Sequence, residues 1–167
     1  MDVSLASTGL ILTGGLLASI AVAVRLSSPG PVFYRETRIG RYGKPFTIFK
    51  FRSMHTREYL RDVFGHKVCA ITEMRMRADE KHLRDPRVTG FGAFLRRTSL
   101  DELPQLFNVL RGDMSLIGPR PVVLAELKRY REDAHFYKSV YPGMTGLWQV
   151  SGRNDIRACS RYEIDVC

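Results

Sequence analysis

The sequence predicts a mixed α/β (α+β) fold: an N-terminal membrane helix, then a small β-hairpin or sheet surrounded by amphipathic helices. Three observations predict it. The chain opens on a long apolar run without charge. Two short strand-like runs follow, joined by a turn rich in glycine and proline. Beyond them, apolar residues recur at helical spacing between irregular loops, and no series of strands is long or regular enough for a large sheet.

The first element covers residues 3–24, which contain no charged side chain. That is roughly 22 residues, or about 33 Å as a helix at 1.5 Å per residue, enough to cross a bilayer. A cleaved signal peptide would start with basic residues, whereas this chain starts with Met1-Asp2. A buried core helix would carry a polar face, and this segment is apolar all round. Gly14-Gly15 falls near its middle, and two adjacent glycines can mark a bend. A bend would let the helix enter and leave on one face, as a re-entrant membrane helix. The residues after Arg25 are strongly basic, so the positive-inside rule keeps them in the cytoplasm.

Ser27-Ser28-Pro29-Gly30-Pro31 ends that helix. Residues 32–39 and 46–52 read as a hairpin whose tip is Gly40-Arg41-Tyr42-Gly43-Lys44-Pro45. Alternation puts Lys50 and Arg52 on the same face as Phe46 and Ile48. The two cations can snorkel at a sheet edge or face an anion. Residues 55–82 read as one or two partly amphipathic helices, and Arg84-Asp85-Pro86-Arg87 as a turn. Residues 88–95 are short and glycine-punctuated. Leu103, Leu106, Phe107 and Leu110 follow at i, i+3, i+4 and i+7, one helix face, with Gly112 as its stop. Residues 122–141 read as one long amphipathic helix ended by Pro142-Gly143. Residues 146–150 read as a short strand.

The bulk numbers narrow the partners. The net charge of +9 predicts an anionic partner: nucleic acid, anionic lipid headgroups or a phosphorylated substrate. Cys69, Cys159 and Cys167 form no CxxC pair, which fits reduced thiols in a cytosol-facing protein. The four histidines are scattered, with no i,i+4 pair for zinc.

The chemistry concentrates at Arg96-Arg97-Thr98-Ser99-Leu100-Asp101-Glu102 and at Gly118-Pro119-Arg120-Pro121. Ser99-x-x-Glu102 matches a capping box, and Pro104 fits a first helical turn if Asp101 is the cap. Either choice puts both carboxylates at the positive end of a helix dipole. Capping alone would explain such residues. The alternative gives them two tasks, nucleophile and metal ligand, since consecutive helical residues point about 100° apart. Arg96 and Arg97 are one turn away, suited to bidentate phosphate contacts. Arg120 lies between two prolines on a stiff loop that loses little entropy when it binds an anion. Carboxylate, metal and arginines are what phosphoryl transfer requires. A membrane segment on the same chain points to a lipid phosphate.

The blocks Ser28-Pro29-Gly30-Pro31-Val32-Phe33, Lys50-Phe51-Arg52-Ser53-Met54, Asp85-Pro86-Arg87-Val88, Leu95 to Gln105, Gly112 to Pro121 and Pro142 to Asn154 together resemble the bacterial sugar transferase family, the monotopic phosphoglycosyl transferases. They occur in the family's order from Ser28 to about Asp155. The resemblance implies transfer of a sugar-1-phosphate from a UDP-sugar to polyprenyl (undecaprenyl) phosphate, with release of UMP. Such a reaction starts exopolysaccharide, O-antigen or glycan assembly at the cytoplasmic face of the bacterial inner membrane. It implies Asp101 as the nucleophile that forms a covalent phosphosugar intermediate. Glu102 becomes a ligand of Mg²⁺. Lys50, Arg52, Arg96, Arg120 and Arg153 become substrate- or phosphate-binding residues. The expected organisation is a membrane helix at 1–26 and a cytosolic catalytic domain at 27–167, C-terminally short relative to the family. The family's helix is broken at a Ser-Pro pair, where this chain has Gly14-Gly15. A truncated, non-catalytic membrane scaffold is the alternative reading. Nucleic acid is not an expected partner, since no recognised nucleic-acid motif accompanies the charge.

Overall fold

The computed structural model describes residues 1–56, 58–62, 85 and 87–146. They belong to two compact units. One is built from Met1–Gly15, Arg35–Lys50 and the chain from Glu102 onward, the other from Leu16–Tyr34 and Phe51–Asp101.

Helix α1 runs from Asp2 to Ser27. Its first half packs into the first unit, where Ala6 and Leu10 join Ile48, Leu106, Val109 and Met114 in one apolar cluster. Asp2 accepts a hydrogen bond from Ser115 Oγ at 2.6 Å, which pins the helix start. The helix shows no break at Gly14-Gly15, where the sequence led us to expect a bend. Glycine keeps its N–H, so unlike proline it can remain in the helical hydrogen-bond ladder at a cost of about 1 kcal/mol.

The predicted hairpin is present. Strands β1 (Phe33–Ile39) and β2 (Pro45–Phe51) form a two-stranded sheet, joined by a 3-10 turn at Arg41–Gly43. A second two-stranded sheet was not legible in the sequence. Strand β3 (Ser115–Ile117) pairs in parallel with β4 (Gly143–Thr145), Ser115 opposite Gly143 and Ile117 opposite Thr145. The strand expected at 146–150 falls on residues 147–150, which lie outside the described residues, and on Gly146, which is not in a strand.

Two helix readings are corrected. The stretch read as short and glycine-punctuated is helix α2 (Gly90–Thr98). The Thr89 hydroxyl caps it by accepting from Gly92 N at 2.8 Å. Gly92 lies against the Ser53 backbone, where an added Cβ would meet Ser53 O at 2.0 Å. Packing therefore selects one of the glycines that punctuate this stretch. The long helix expected at 122–141 is instead α4 (Leu124–Leu127), a 3-10 stretch (Lys128–Asp133) and α5 (Ala134–Ser139). Arg131, at φ 45° and ψ −117°, interrupts it. No Gly, Asn or Pro marks that position. The pieces bury Leu127, Tyr130 and Tyr137 against Ile39 and Val122, a second apolar cluster of the first unit.

Between these helices, Leu100–Gln105 forms a 3-10 turn that contains Pro104, and helix α3 (Leu106–Leu110) follows at once. Leu106 and Val109 are buried, whereas Phe107 is exposed, so the buried face differs from the one its spacing suggested.

Candidate active site

Ser99 both closes one helix and directly precedes the next turn, and Asp101 lies inside that turn and does not cap it. Ser99 is the left-handed C-cap of α2, at φ 60° and ψ 14°. Asp101 and Glu102 are the second and third residues of the 3-10 turn that starts at Leu100. A tight turn tolerates Pro104 before the α-helix proper begins, because the missing N–H falls where the ladder is not yet complete.

In the first unit, Glu102, Lys50 and Arg120 line one pocket together with Arg38, Ile48 and Gln105. Lys50 Nζ donates to Glu102 Oε1 at 2.9 Å. Both side chains are largely covered, at 27% and 14% exposure, so the pair is less screened than a surface ion pair. Strand alternation places Lys50 here beside Ile48, as predicted. Gln105, 2% exposed, forms part of the wall.

The loop that carries Arg120 is tied at both ends. Before it, Gly118 N donates to Thr145 O at 3.0 Å and Gly143 N donates to Pro119 O at 2.8 Å. The two backbones are so close that a Cβ on Gly143 would lie 2.1 Å from Gly118 N. After it, Ile39 N donates to Val122 O at 2.9 Å. The Tyr137 hydroxyl donates to Ile39 O at 2.7 Å, and Val122 N donates to that same hydroxyl at 3.2 Å. Arg38 Nη1 donates to Pro121 O at 3.1 Å. Sequence reasoning missed Arg38 as a site residue. Its only signal was its place beside Glu36 in a strand of alternating charge.

In the second unit, Asp101 is buried at 8% exposure, while Arg96 and Arg97 stand exposed in the last turn of α2. Arg96 is one of the charges that draw the Asp85 carboxyl down. Arg52 is engaged as a clamp. Its Nη1 donates to Pro29 O at 2.9 Å, and its Nη2 donates to Ser28 O at 2.6 Å and to Val24 O at 3.4 Å. A cation there satisfies carbonyls at the C-terminal end of α1 and complements the helix dipole. Burial first, and Arg25 second, lower the Arg52 pKa from its ordinary value. Gly30, at φ 123°, leaves room for the guanidinium, since its Cβ would meet Arg52 Nη1 at 2.1 Å. Arg153 lies outside the described residues.

Among the described residues, no cluster of three or more Asp, Glu, His or Cys gathers for a metal. Glu102 offers one hard oxygen donor. That suits a Mg²⁺ ion held by one carboxylate and substrate phosphates, and does not make an all-protein cage.

The pocket gathers Arg38, Lys50 and Arg120 around the carboxylate of Glu102, a lining suited to an anion. The chain belongs to the bacterial sugar transferase family, whose model matches residues 1–167. Among relatives, it is 52% identical over 138 residues to an undecaprenyl-phosphate galactose phosphotransferase of Salmonella typhimurium, covering 81% of this chain and 29% of that protein. It is 48% identical over 167 residues to exopolysaccharide production protein ExoY of Rhizobium meliloti, covering 99% of this chain and 73% of that protein. It is also 47% identical over 154 residues to a UDP-glucose:undecaprenyl-phosphate glucose-1-phosphate transferase of Escherichia coli, covering 90% and 30%. The matched stretch thus covers less than a third of the length of the Salmonella and Escherichia proteins.

Proposed function

We propose that the protein transfers a sugar-1-phosphate from a UDP-sugar to undecaprenyl phosphate or a related polyprenyl phosphate. The observation that carries this is the pocket in which Glu102, Lys50 and Arg120 converge, in a chain whose relatives bear such activities in their names. In this reading an Asp101 carboxylate oxygen attacks the β-phosphorus of the UDP-sugar. The bond from that phosphorus to the bridging oxygen breaks, and the oxygen leaves with UMP. An oxygen of the polyprenyl phosphate then attacks the same phosphorus and breaks its bond to Asp101. The carboxylate is restored, and a polyprenyl diphosphosugar leaves.

Lys50 and Arg120 offset phosphate charge, with Arg120 able to make planar two-point contacts. Arg96 and Arg153 are assigned to substrate phosphate on the family resemblance alone. Glu102 would hold Mg²⁺, which supplies charge neutralisation to the phosphate oxygens when bound. The Lys50 ammonium orients the Glu102 carboxylate for that task.

Helix α1 supplies the membrane attachment. It is long and apolar enough to cross a bilayer, and only 11% of its apolar stretch is buried. Ile11 and Leu12 are 81% and 79% exposed, a surface that lipid would cover. The cations that follow α1 support a site on the cytoplasmic face of the membrane, by the positive-inside rule, and the family resemblance suggests the bacterial inner membrane.

The test is UMP release by the full chain in nanodiscs, across a panel of UDP-sugars with undecaprenyl phosphate and Mg²⁺. Release should require both additions, and Asp101→Asn should lower it on the order of a thousandfold. Undiminished turnover by Asp101→Asn removes the nucleophile assignment, and no release with any donor removes the function.

A further inference from the structure

We propose that Arg38 is a positioning residue for Arg120, acting through the backbone of the Pro119-Arg120-Pro121 loop and not by contact with substrate. Its kinetic arm rests on the function proposed above.

The guanidinium of Arg38 forks. Nη1 donates to Pro121 O at 3.1 Å and lies 3.5 Å from Glu126 Oε2, and Nη2 pairs with Glu36. Glu126 Oε2 in turn accepts from Val123 N at 3.3 Å. One ion pair therefore fixes the Pro121 carbonyl and the Val123 amide, on either side of Val122. Val122 is itself held through its N–H by Tyr137 and through its carbonyl by Ile39. With β4 tying Gly118 and Pro119, Arg120 is the residue between two anchored segments. Its backbone is therefore held in place on both sides, which limits the backbone entropy lost when the residue engages a phosphate. Arg38 is the charged tie in that frame. It is flanked by two glutamates, so its charge is already balanced where it stands. A residue whose role was to bind phosphate would be weakened by such neighbours, whereas a residue that holds a carbonyl is oriented by them.

A lysine cannot reproduce this. A single ammonium on a flexible stem lacks the planar fork that reaches Glu36, Glu126 and Pro121 together. Retained charge and retained geometry are thereby separable.

The experiment is a double-mutant cycle with Arg38→Gln, Arg38→Lys and Arg120→Ala in the full chain in nanodiscs, read as kcat/KM for UMP release. If Arg38 acts through Arg120, Arg38→Gln lowers kcat/KM by about 30- to 100-fold in the wild-type background and by less than about threefold once Arg120 is alanine. Arg38→Lys should fail to restore it. Additive losses, or wild-type kinetics in Arg38→Lys, would overturn the proposal in favour of direct binding or a dispensable charge. Hydrogen exchange of the same variants supplies a readout independent of turnover. In Arg38→Gln the Val122 and Val123 amides should exchange at least about tenfold faster, with β3 amides unchanged as the control for folding. Unchanged exchange at Val122 and Val123 also overturns it. If the wild-type chain releases no UMP, the functional reading falls, and exchange alone decides whether Arg38 holds the loop.

Discussion

Asn108 is fully buried, yet it carries a primary amide. Its Oδ1 accepts from Phe49 N at 3.1 Å and its Nδ2 donates to Thr47 O at 2.7 Å, so the side chain imitates a third strand along the edge of β2. Asn108→Ala leaves two backbone groups of β2 without these partners. It should destabilise the fold by about 2 to 4 kcal/mol, measurable as a lower melting temperature. Asp85 offers a second test at this scale. A side-chain hydrogen bond from Arg87 holds its carboxyl below the usual carboxylate range, against partial burial, with Arg96 adding to the effect. A depressed folded pKa contributes stability that is present above the unfolded value, about pH 4, and lost as pH falls through the folded one. Asp85→Asn should therefore lower the melting temperature modestly at pH 7 and have progressively less effect as pH falls below about 4, which flattens the acid limb of the profile. Neither role was legible in the sequence. Asn108 sits in a run read for its apolar spacing, and its partners are 59 and 61 residues away.

Among the elements, the hairpin was read with bounds within a residue or two, because alternation and a turn rich in glycine are local signals. The failures share one cause. Helix α2 holds two glycines that its packing requires or permits. Strands β3 and β4 are three residues each and pair across a long crossover, too short to show a period. The break at Arg131 has no local marker. Helix α1 gives the sharpest test. An added Cβ on Gly14 or Gly15 would meet nothing within 4 Å. Gly14→Ala with Gly15→Ala should stiffen the helix by about 2 kcal/mol and preserve UMP release, since the structure shows no break there to lose. A loss of activity without a loss of folding would show that the glycines serve a bent state.

For the molecule as a whole, the apolar face of α1 and the charge of +9 act together. Replacing Ile11 and Leu12 with lysine puts two charges where lipid is expected, each costing about 3 kcal/mol at the centre of a membrane helix. The double variant should move from the membrane pellet to the soluble or aggregated fraction on cell fractionation. The sequence by itself determined the apolar helix, the turn that ends it, the hairpin and the family, because each rests on composition, local period or contiguous motif. It also identified Lys50, Glu102 and Arg120 as candidates, and they share one pocket. Only the tertiary structure decided that Arg52 clamps the end of α1 and that Arg38 ties down the Arg120 loop. Those roles depend on hydrogen bonds between residues far apart in the chain, such as Arg38 with Pro121, 83 positions on. A guanidinium reads the same in sequence whether it meets a phosphate or a backbone carbonyl. Which acceptor it finds is set by packing.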